Sequence, residues 1–511
     1  MRPAQSNPPR IPFLAWSAAT ILMAAWLRLR NIDVPEPFVD EGANILTALD
    51  PRVRIAFEPL AQGRPGLIWL FKPAGWWPEH ALIVARMMSA GAGLAAALAI
   101  GWILHQLAGR VAALCGMLLW AAMPLAVFHE RLALQDSFVT ALLAGVVGLF
   151  TAGSLSSRLR FNWVWFASAG IAFGIAFILK ISAALALPWL AILYFAVRQH
   201  ASRRWIDRDL LYVALGAMAP LALLGPDVLA LGSKLSRYGA VPLAGNTESV
   251  PNLLERAQIW LGYYSGYGGW PLLMLGLSAI IFVCIGRSKK NLPLACASGW
   301  LVATVVTAVF YNNTYARYTL PDHVPLILFL ALAVGWAWTE TGKPRYWVPA
   351  LMIAALAGWS RSSWQINTDA TAASIPSTEI AQYFTGPWSG RGVTGIKRFL
   401  TRYADTHRVR CMVLTHQFLR PGCYGLMLAE LGDPRIGAQP FTIYEPSELA
   451  ALESAMRKTA ASKPVTFFLL YEGSIYPAHP WLNNPTSPAR LVHEEPRGDG
   501  ENFTLYRIEQ R

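Results

Sequence analysis

From Phe161 to Val197 the sequence carries a single charge, Lys180. A helix of that length would be ~55 Å long at ~1.5 Å per residue, nearly twice the ~30 Å of a bilayer core. Such a run folds as two membrane spans joined at a hinge, and Lys180 sits at the hinge. The same reading along the chain finds about eleven candidate spans of ~20 apolar residues. They centre on 11–27, 81–104, 111–128, 137–154, 161–179, 181–197, 210–231, 268–285, 292–310, 321–339 and 346–359.

Composition agrees with a polytopic α-helical membrane protein. The 511 residues are 54% hydrophobic and 14% charged, where soluble domains carry about 25% charged residues. The 21 Trp residues suit the membrane interface, where indole rings settle. A net charge of +13 raises the question of nucleic acid, but the positions of the cations answer it. With the N-terminus inside, the inside loops hold Arg110, Arg158, Arg160, Arg198, Arg203, Arg204, Arg208, Arg287, Lys289, Lys290, Lys343 and Arg345. The short outside loops hold far fewer, which is the positive-inside pattern. No nucleic-acid partner is needed. Ile11 to Trp26 follows Arg2 and Arg10, as a signal peptide would. No small-residue cleavage site opens onto a soluble chain, so it reads as an uncleaved first span.

An odd number of spans leaves the C-terminal tail outside. There the pattern changes. Helical stretches (392–405 and 446–461) alternate with strand-like runs at Arg410–Thr415, Val465–Tyr471 and Phe503–Ile508, the mark of a small α/β domain. The expected organisation is a membrane domain over 1–360, with a long outer loop at 28–80, and an extracytoplasmic α/β domain over 361–511. Five Cys are too few for a disulfide framework. Cys411 and Cys423 lie on the oxidising side, either paired or as two thiols.

The charges that remain fall on the outer side. Asp40 and Glu41 stand in PFVDEGANI, within the outer loop, before the amphipathic segment PGLIWLFKPAGWW (Pro65–Trp77). The latter reads as lying along the membrane surface. Arg64, Arg86, Arg131, Asp136, Lys180 and Arg317 each stand at or just inside an outer boundary. A charge at a span centre costs roughly 2.5–3.5 kcal/mol on insertion scales, so such residues usually face a cavity or a partner. Three acids and five bases on one side suggest a polar cavity at the outer surface. The acids offer a general base or a metal site, the bases a phosphate clamp, and the apolar surroundings room for a lipid tail. A lipid phosphate meets all three. Nucleotide sugars are absent outside, so a lipid-linked sugar is the logical donor.

Each residue also has a plainer role. Asp40 can cap a juxtamembrane helix, and Glu41 can be a solvated loop acid. Asp136 can cap the fourth span and pair with Arg131. Arg86 and Arg131 can be interface anchors, Lys180 can snorkel, and Arg317 can meet ordinary headgroups. Three other patterns are set aside. Asp207-Arg208-Asp209 has nucleotide-sugar spacing but lies in a basic inside loop. His129-Glu130 resembles the start of a zinc-protease motif, yet Ala133 stands where the second His belongs. His323 reads as a helix-start residue. No metal is required, although an Asp-Glu pair is able to recruit one.

Six short segments, in order, resemble motifs of the bacterial membrane glycosyltransferases of the protein O-mannosyltransferase and aminoarabinose-transferase superfamily, which have the GT-C fold. They are FVDEG (Phe38–Gly42), GRPGLIWL (Gly63–Leu70), ARMMSA (Ala85–Ala90), HERLALQDSF (His129–Phe138), FILK (Phe177–Lys180) and ARYTLP (Ala316–Pro321). Each alone is weak, and together they cover roughly residues 10–360. The Trp-Trp-Asp motif of oligosaccharyltransferases is not found. The resemblance implies a sugar on polyprenyl phosphate as donor and an inverting transfer to an acceptor hydroxyl or amine on protein, glycan or lipid. It gives Asp40 the role of general base, with Glu41 in support and Asp136 as a second acid. Arg64, Lys180 and Arg317 would hold the leaving phosphate, with Arg86, Arg131 and Tyr318 supporting. The implied location is a bacterial inner membrane. The rival functions are a lipid-linked sugar flippase, a transporter, whose charges would normally lie nearer the midplane, and an envelope scaffold.

Overall fold

The computed structural model describes the chain from Phe13 to Glu509, apart from residues 60–61, 157–161, 202–207, 226–252, 286–290, 311–314, 340–343, 372, 374, 416–419, 441–463, 473–488 and 498–499. It forms two compact units. One comprises Met1–Arg30, Gly63–Gly66 and Ser89–Ser374, and the other Asn31–Gln62, Leu67–Met88 and Ile375–Arg511. The outer loop is therefore grouped, for the most part, with the C-terminal residues rather than with the spans. The helix Pro344–Thr368 runs past residue 360.

The first unit is helical. Every expected span overlaps a described helix, from Phe13–Leu29 to Pro344–Thr368, while residues 11–12 of the first and 226–231 of the span 210–231 lie outside the described residues. Among the described residues, five helices are long and apolar enough to cross a membrane: Pro78–Ala108, whose residues from Ser89 on belong to this unit, Asp136–Leu155, Asn162–Leu179, Ile181–His200 and Asn291–Phe310. Phe13–Leu29, Arg110–Ala122 and His323–Trp338 are shorter apolar helices. The expected span 111–128 is broken. Its helix ends at Ala122, and Pro124 opens a separate short helix to His129, because proline offers no N–H to the turn before it and clashes with that turn. The helix Leu253–Tyr263 and the π turn after it were not expected. Asn162–Leu179 and Arg208–Ala222 pack backbone to backbone. A Cβ on Gly170 would collide with the Val213 carbonyl oxygen, and one on Gly216 with that of Ala167. Small residues permit this approach where lipid offers no hydrophobic drive to association.

The second unit holds a five-stranded sheet of β1 (Arg410–Thr415), β2 (Ile436–Pro440), β3 (Val465–Glu472), β4 (Ala489–Pro496) and β5 (Asn502–Ile508), in the order β2-β1-β3-β5-β4. β2, β1 and β3 are parallel, whereas β5 and β4 join antiparallel. Leu414, Phe467, Leu469, Ala489 and Ile508 form a core cluster. The helix Val393–His407 buries Val393, Ile396, Leu400 and Ala404, at the i, i+3, i+4 spacing of an amphipathic helix. β1, β3, β5 and this helix were expected, whereas β2, β4 and the helix Pro421–Gly432 were not. The helical pattern at 446–461 lies outside the described residues. In the same unit the outer loop forms helices Val39–Leu49 and Pro51–Phe57. Trp69, Trp76 and Trp77 of the amphipathic segment are exposed.

Candidate functional site

In the membrane unit the hinge is built first. The Asn162–Leu179 helix stops at Lys180, whose backbone is extended (φ −158°, ψ 114°), and a 3-10 turn follows over Ile181–Ala186. The segment Gly63–Gly66 is clipped onto this hinge by two 3.0 Å bonds. Gly66 N–H donates to the Ile178 carbonyl, and Ile181 N–H to that of Gly63. Gly63 has φ +65°, a conformation that glycine adopts without penalty. Residues far apart in sequence, Arg64 and Lys180, are thereby held on adjacent backbone.

Asp136 opens the helix Asp136–Leu155 and is buried. Lys180 Nζ donates to Asp136 Oδ1 at 2.6 Å. The same ammonium lies 4.1 Å from the centroid of the Tyr318 ring, a cation–π distance. Arg317, in the 3-10 turn Ala316–Thr319, sets its guanidinium 4.8 Å from the Tyr315 ring and 5.4 Å from that of Tyr318. Arg317 and Arg64 both act electrostatically on Asp136. Arg64, Asp136, Lys180, Arg317 and Tyr318 thus form one cluster with more positive than negative charge. A cleft bordered by Asp136, Lys180, Tyr318, Thr307, Trp189 and Asp322 opens beside this cluster.

Several plainer roles are corrected here. Lys180 does not snorkel, because only 3% of its side chain is exposed and it is ion-paired. The partner of Asp136 is Lys180 rather than Arg131. Arg131 is buried and donates to the carbonyls of Arg30 (2.8 Å) and Ile366 (3.3 Å). It is a brace within the unit rather than an interface anchor.

In the second unit Glu41 and Arg86 form a closed clamp, neither side chain exposed. Arg86 Nε and Nη2 donate to Glu41 Oε1 and Oε2, both at 2.7 Å. Arg86 Nη1 also donates to the carbonyls of Ile32 (2.9 Å) and Pro35 (2.7 Å). Glu41 in turn accepts from the Phe38 N–H at 3.0 Å, covering an N–H that the helix start leaves without a partner. Glu41 is therefore neither a solvated loop acid nor open to a substrate, and Arg86 is no interface anchor. Asp40, one residue earlier, is half-buried. Adjacent helix residues do not share a face, so the clamp sets the helix start while Asp40 points elsewhere. The Gly-Pro loop beyond Tyr383 packs on the same segment. The Phe38 and Tyr383 ring centroids are 4.5 Å apart, Val39 N–H donates to the Trp388 carbonyl at 3.3 Å, and Val393 N–H donates to Glu36 at 2.9 Å.

The patterns set aside have structural roles. Asp209 pairs with Arg198 at 2.6 Å. Glu130 pairs with Arg28, with neither side chain exposed, and also accepts from Trp120 Nε1. His323 stacks on Tyr264 and its Nδ1–H donates to the Thr319 carbonyl. Cys411 and Cys423 are buried free thiols, so the disulfide alternative falls. Among the described residues no three His, Cys, Asp or Glu gather as a metal set.

Residues 79–227 match the family described as dolichyl-phosphate-mannose-protein mannosyltransferase. The structure is similar to that of ArnT from Cupriavidus metallidurans bound to undecaprenyl phosphate, with 13% identity, 97% of each chain covered and a TM-score of 0.58. It is also similar to the arabinofuranosyltransferase AftD from Mycobacteria (14% identity, 99% of this chain and 40% of that one, TM-score 0.52). An oligosaccharyltransferase of Archaeoglobus fulgidus in the apo form matches at 12% identity over 91% of this chain and 70% of that one, with a TM-score of 0.50. The fold is that of the GT-C membrane glycosyltransferases. No curated protein matches the sequence.

Proposed function

We propose that this chain is a glycosyltransferase. In this reading it moves a sugar from a polyprenyl-phosphate donor to an acceptor hydroxyl or amine, with inversion, on the extracytoplasmic side of a bacterial inner membrane. The observation that carries the reading is the cluster of Arg64, Lys180 and Arg317 about Asp136 in a membrane unit. Supporting it are the mannosyltransferase family match over residues 79–227 and the shared fold with an ArnT that holds undecaprenyl phosphate.

Asp40 acts as the general base. It takes the proton of the acceptor O–H or N–H as that atom bonds to the anomeric carbon. The bond from that carbon to the phosphate oxygen breaks, and the leaving polyprenyl phosphate gains a negative charge. Arg64, Lys180 and Arg317 stabilise that charge as it forms, which is often the largest catalytic term. Asp136 keeps the Lys180 ammonium charged and aimed. Glu41, through Arg86, positions Asp40 without touching substrate. Arg131 and Tyr318 support the cluster. The transfer as written calls on no metal, and activity with and without EDTA tests that. The C-terminal α/β residues select the acceptor.

The test is purified protein with a panel of sugars on undecaprenyl phosphate, following sugar release. Asp40→Asn should cut release by roughly 10²–10⁴-fold while undecaprenyl phosphate still binds. Arg317→Ala should weaken that binding. A flippase or transporter would be indifferent to Asp40→Asn, and that result would remove the enzyme reading.

A further inference from the structure

We propose that Asp322 binds a hydroxyl of the transferred sugar and so decides which sugar is accepted. The inference rests on the glycosyltransferase reading and adds to the donor site a residue outside the charged set already described.

Asp322 follows ARYTLP and borders the same cleft as Asp136 and Lys180. Only 4% of it is exposed. Thr307, on the Asn291–Phe310 helix, borders the cleft beside it. Its Oδ2 is buried and has no hydrogen-bond partner among the described residues. A buried acceptor left unpaired is destabilising, and native structures leave few without a reason. Capping the helix His323–Thr339 would supply a backbone N–H for Oδ2, and none is there.

The chemistry of the ligand follows from the unpaired oxygen. The cations of the cleft already suit a phosphate, so Asp322 Oδ2 calls for a neutral hydrogen-bonding group. A second wall of the cleft has an unmet need of its own. Trp189 borders it, and Trp189 Nε1–H is buried with no acceptor among the described residues. A polyol carries both functions, each hydroxyl being donor and acceptor at once. It can donate a hydrogen bond to Asp322 Oδ2 and accept one from Trp189 Nε1–H. A site built to bond a substrate hydroxyl rejects the analogue lacking it by about 10⁴–10⁵-fold, because its own buried groups are then unpaired.

The experiment takes the undecaprenyl-phosphate sugar that the wild-type protein turns over fastest, together with its monodeoxy analogues. Wild type should discriminate against at least one analogue by on the order of 10²-fold or more in kcat/KM. Asp322→Ala should narrow that gap below about tenfold, mainly by losing activity on the parent sugar. Asp322→Asn keeps the shape and guards against a folding defect. Trp189→Phe, which removes only the N–H, should narrow discrimination at the same or a neighbouring hydroxyl. Retained binding of undecaprenyl phosphate checks that each variant is folded. If Asp322→Ala and Asp322→Asn slow parent and analogues in equal proportion, or leave the parent untouched, the inference fails while the glycosyltransferase reading stands. If wild type releases sugar from no donor, that reading fails and takes this one with it.

Discussion

Lys180 donates a 2.6 Å hydrogen bond to Asp136 across 44 residues of sequence, at a point where 3% of one side chain and 5% of the other are exposed. An ammonium and a carboxylate so far from water are each costly alone, and removing one partner of such a pair typically costs about 3–5 kcal/mol. Asp136→Asn and Lys180→Met should each lower the thermal midpoint strongly. The double replacement Asp136→Leu with Lys180→Met should recover most of that loss, because no lone charge is left. It should stay inactive, since the proposed mechanism uses Lys180 at the phosphate. Unfolding in detergent and sugar release, measured on the same three proteins, separate the two effects. Equal destabilisation by single and double variants would show that the pair is not coupled.

Most of the membrane unit was legible because a ~20-residue apolar run has few other ways to fold. The charged members of the cluster, Arg64, Asp136, Lys180 and Arg317, were legible too, since intramembrane charges seek partners, whereas Tyr318 came only from the family resemblance. The pairing was not, because sequence distance says nothing about which charges meet. Arg131 is nearer Asp136 in sequence but bonds carbonyls instead. The edge strands were missed for a local reason. β2 reads IGAQP, poor in β-branched residues and ending in Pro, while β4 reads ARLVHEEP and is largely solvated. Edge strands tolerate Pro and favour charge, so each loses the usual strand pattern. Asp322 carries no signal of its own in the sequence, because a lone acid before a helix has the pattern of an ordinary cap.

The Glu41–Arg86 clamp makes a separate prediction. The two parallel N–H···O bonds need the planar guanidinium, which lysine cannot supply. Arg86→Lys should therefore behave nearly as badly as Arg86→Ala. Either should destabilise the protein by about 3–5 kcal/mol, since Glu41 is left buried and unpaired. Because in the proposed mechanism the clamp positions Asp40 without touching substrate, the variants should lower kcat more than they raise KM for the donor. Limited proteolysis in the 31–50 region should rise in parallel. Activity lost with no change in proteolysis or midpoint would point to a direct role for Arg86.

Cys411 and Cys423 are both fully buried, and burial pushes each thiol up to about 12. The thiolate is the reactive form, so neither should be modified by maleimide at neutral pH in the folded protein. Both should react once it is denatured. A reducing agent should leave the thermal midpoint unchanged, because the four described cysteines are all free thiols. Mass spectrometry of intact protein before and after denaturation reads the first outcome, and a melting curve with and without dithiothreitol reads the second.

Glu36 gives the pH dependence. Burial raises its pKa above the usual 4.5, against the opposing effect of hydrogen bonds from Thr394 and from the backbone at Val393. The folded protein therefore keeps this proton to a higher pH than the unfolded chain does. Where the folded state binds more protons, stability falls as pH rises. The contribution of Glu36 is full below about 4.5 and is lost as pH climbs from there through the raised folded value. Glu36→Gln keeps an acceptor for the Val393 N–H but cannot ionise. The variant should match wild type near pH 4.5 and gain on it as pH increases, with the difference levelling off once folded Glu36 is ionised. Thermal midpoints of the two proteins, taken in steps from pH 4.5 to 8, check this. Parallel curves would mean that Glu36 ionises alike in both states and that its burial carries no cost.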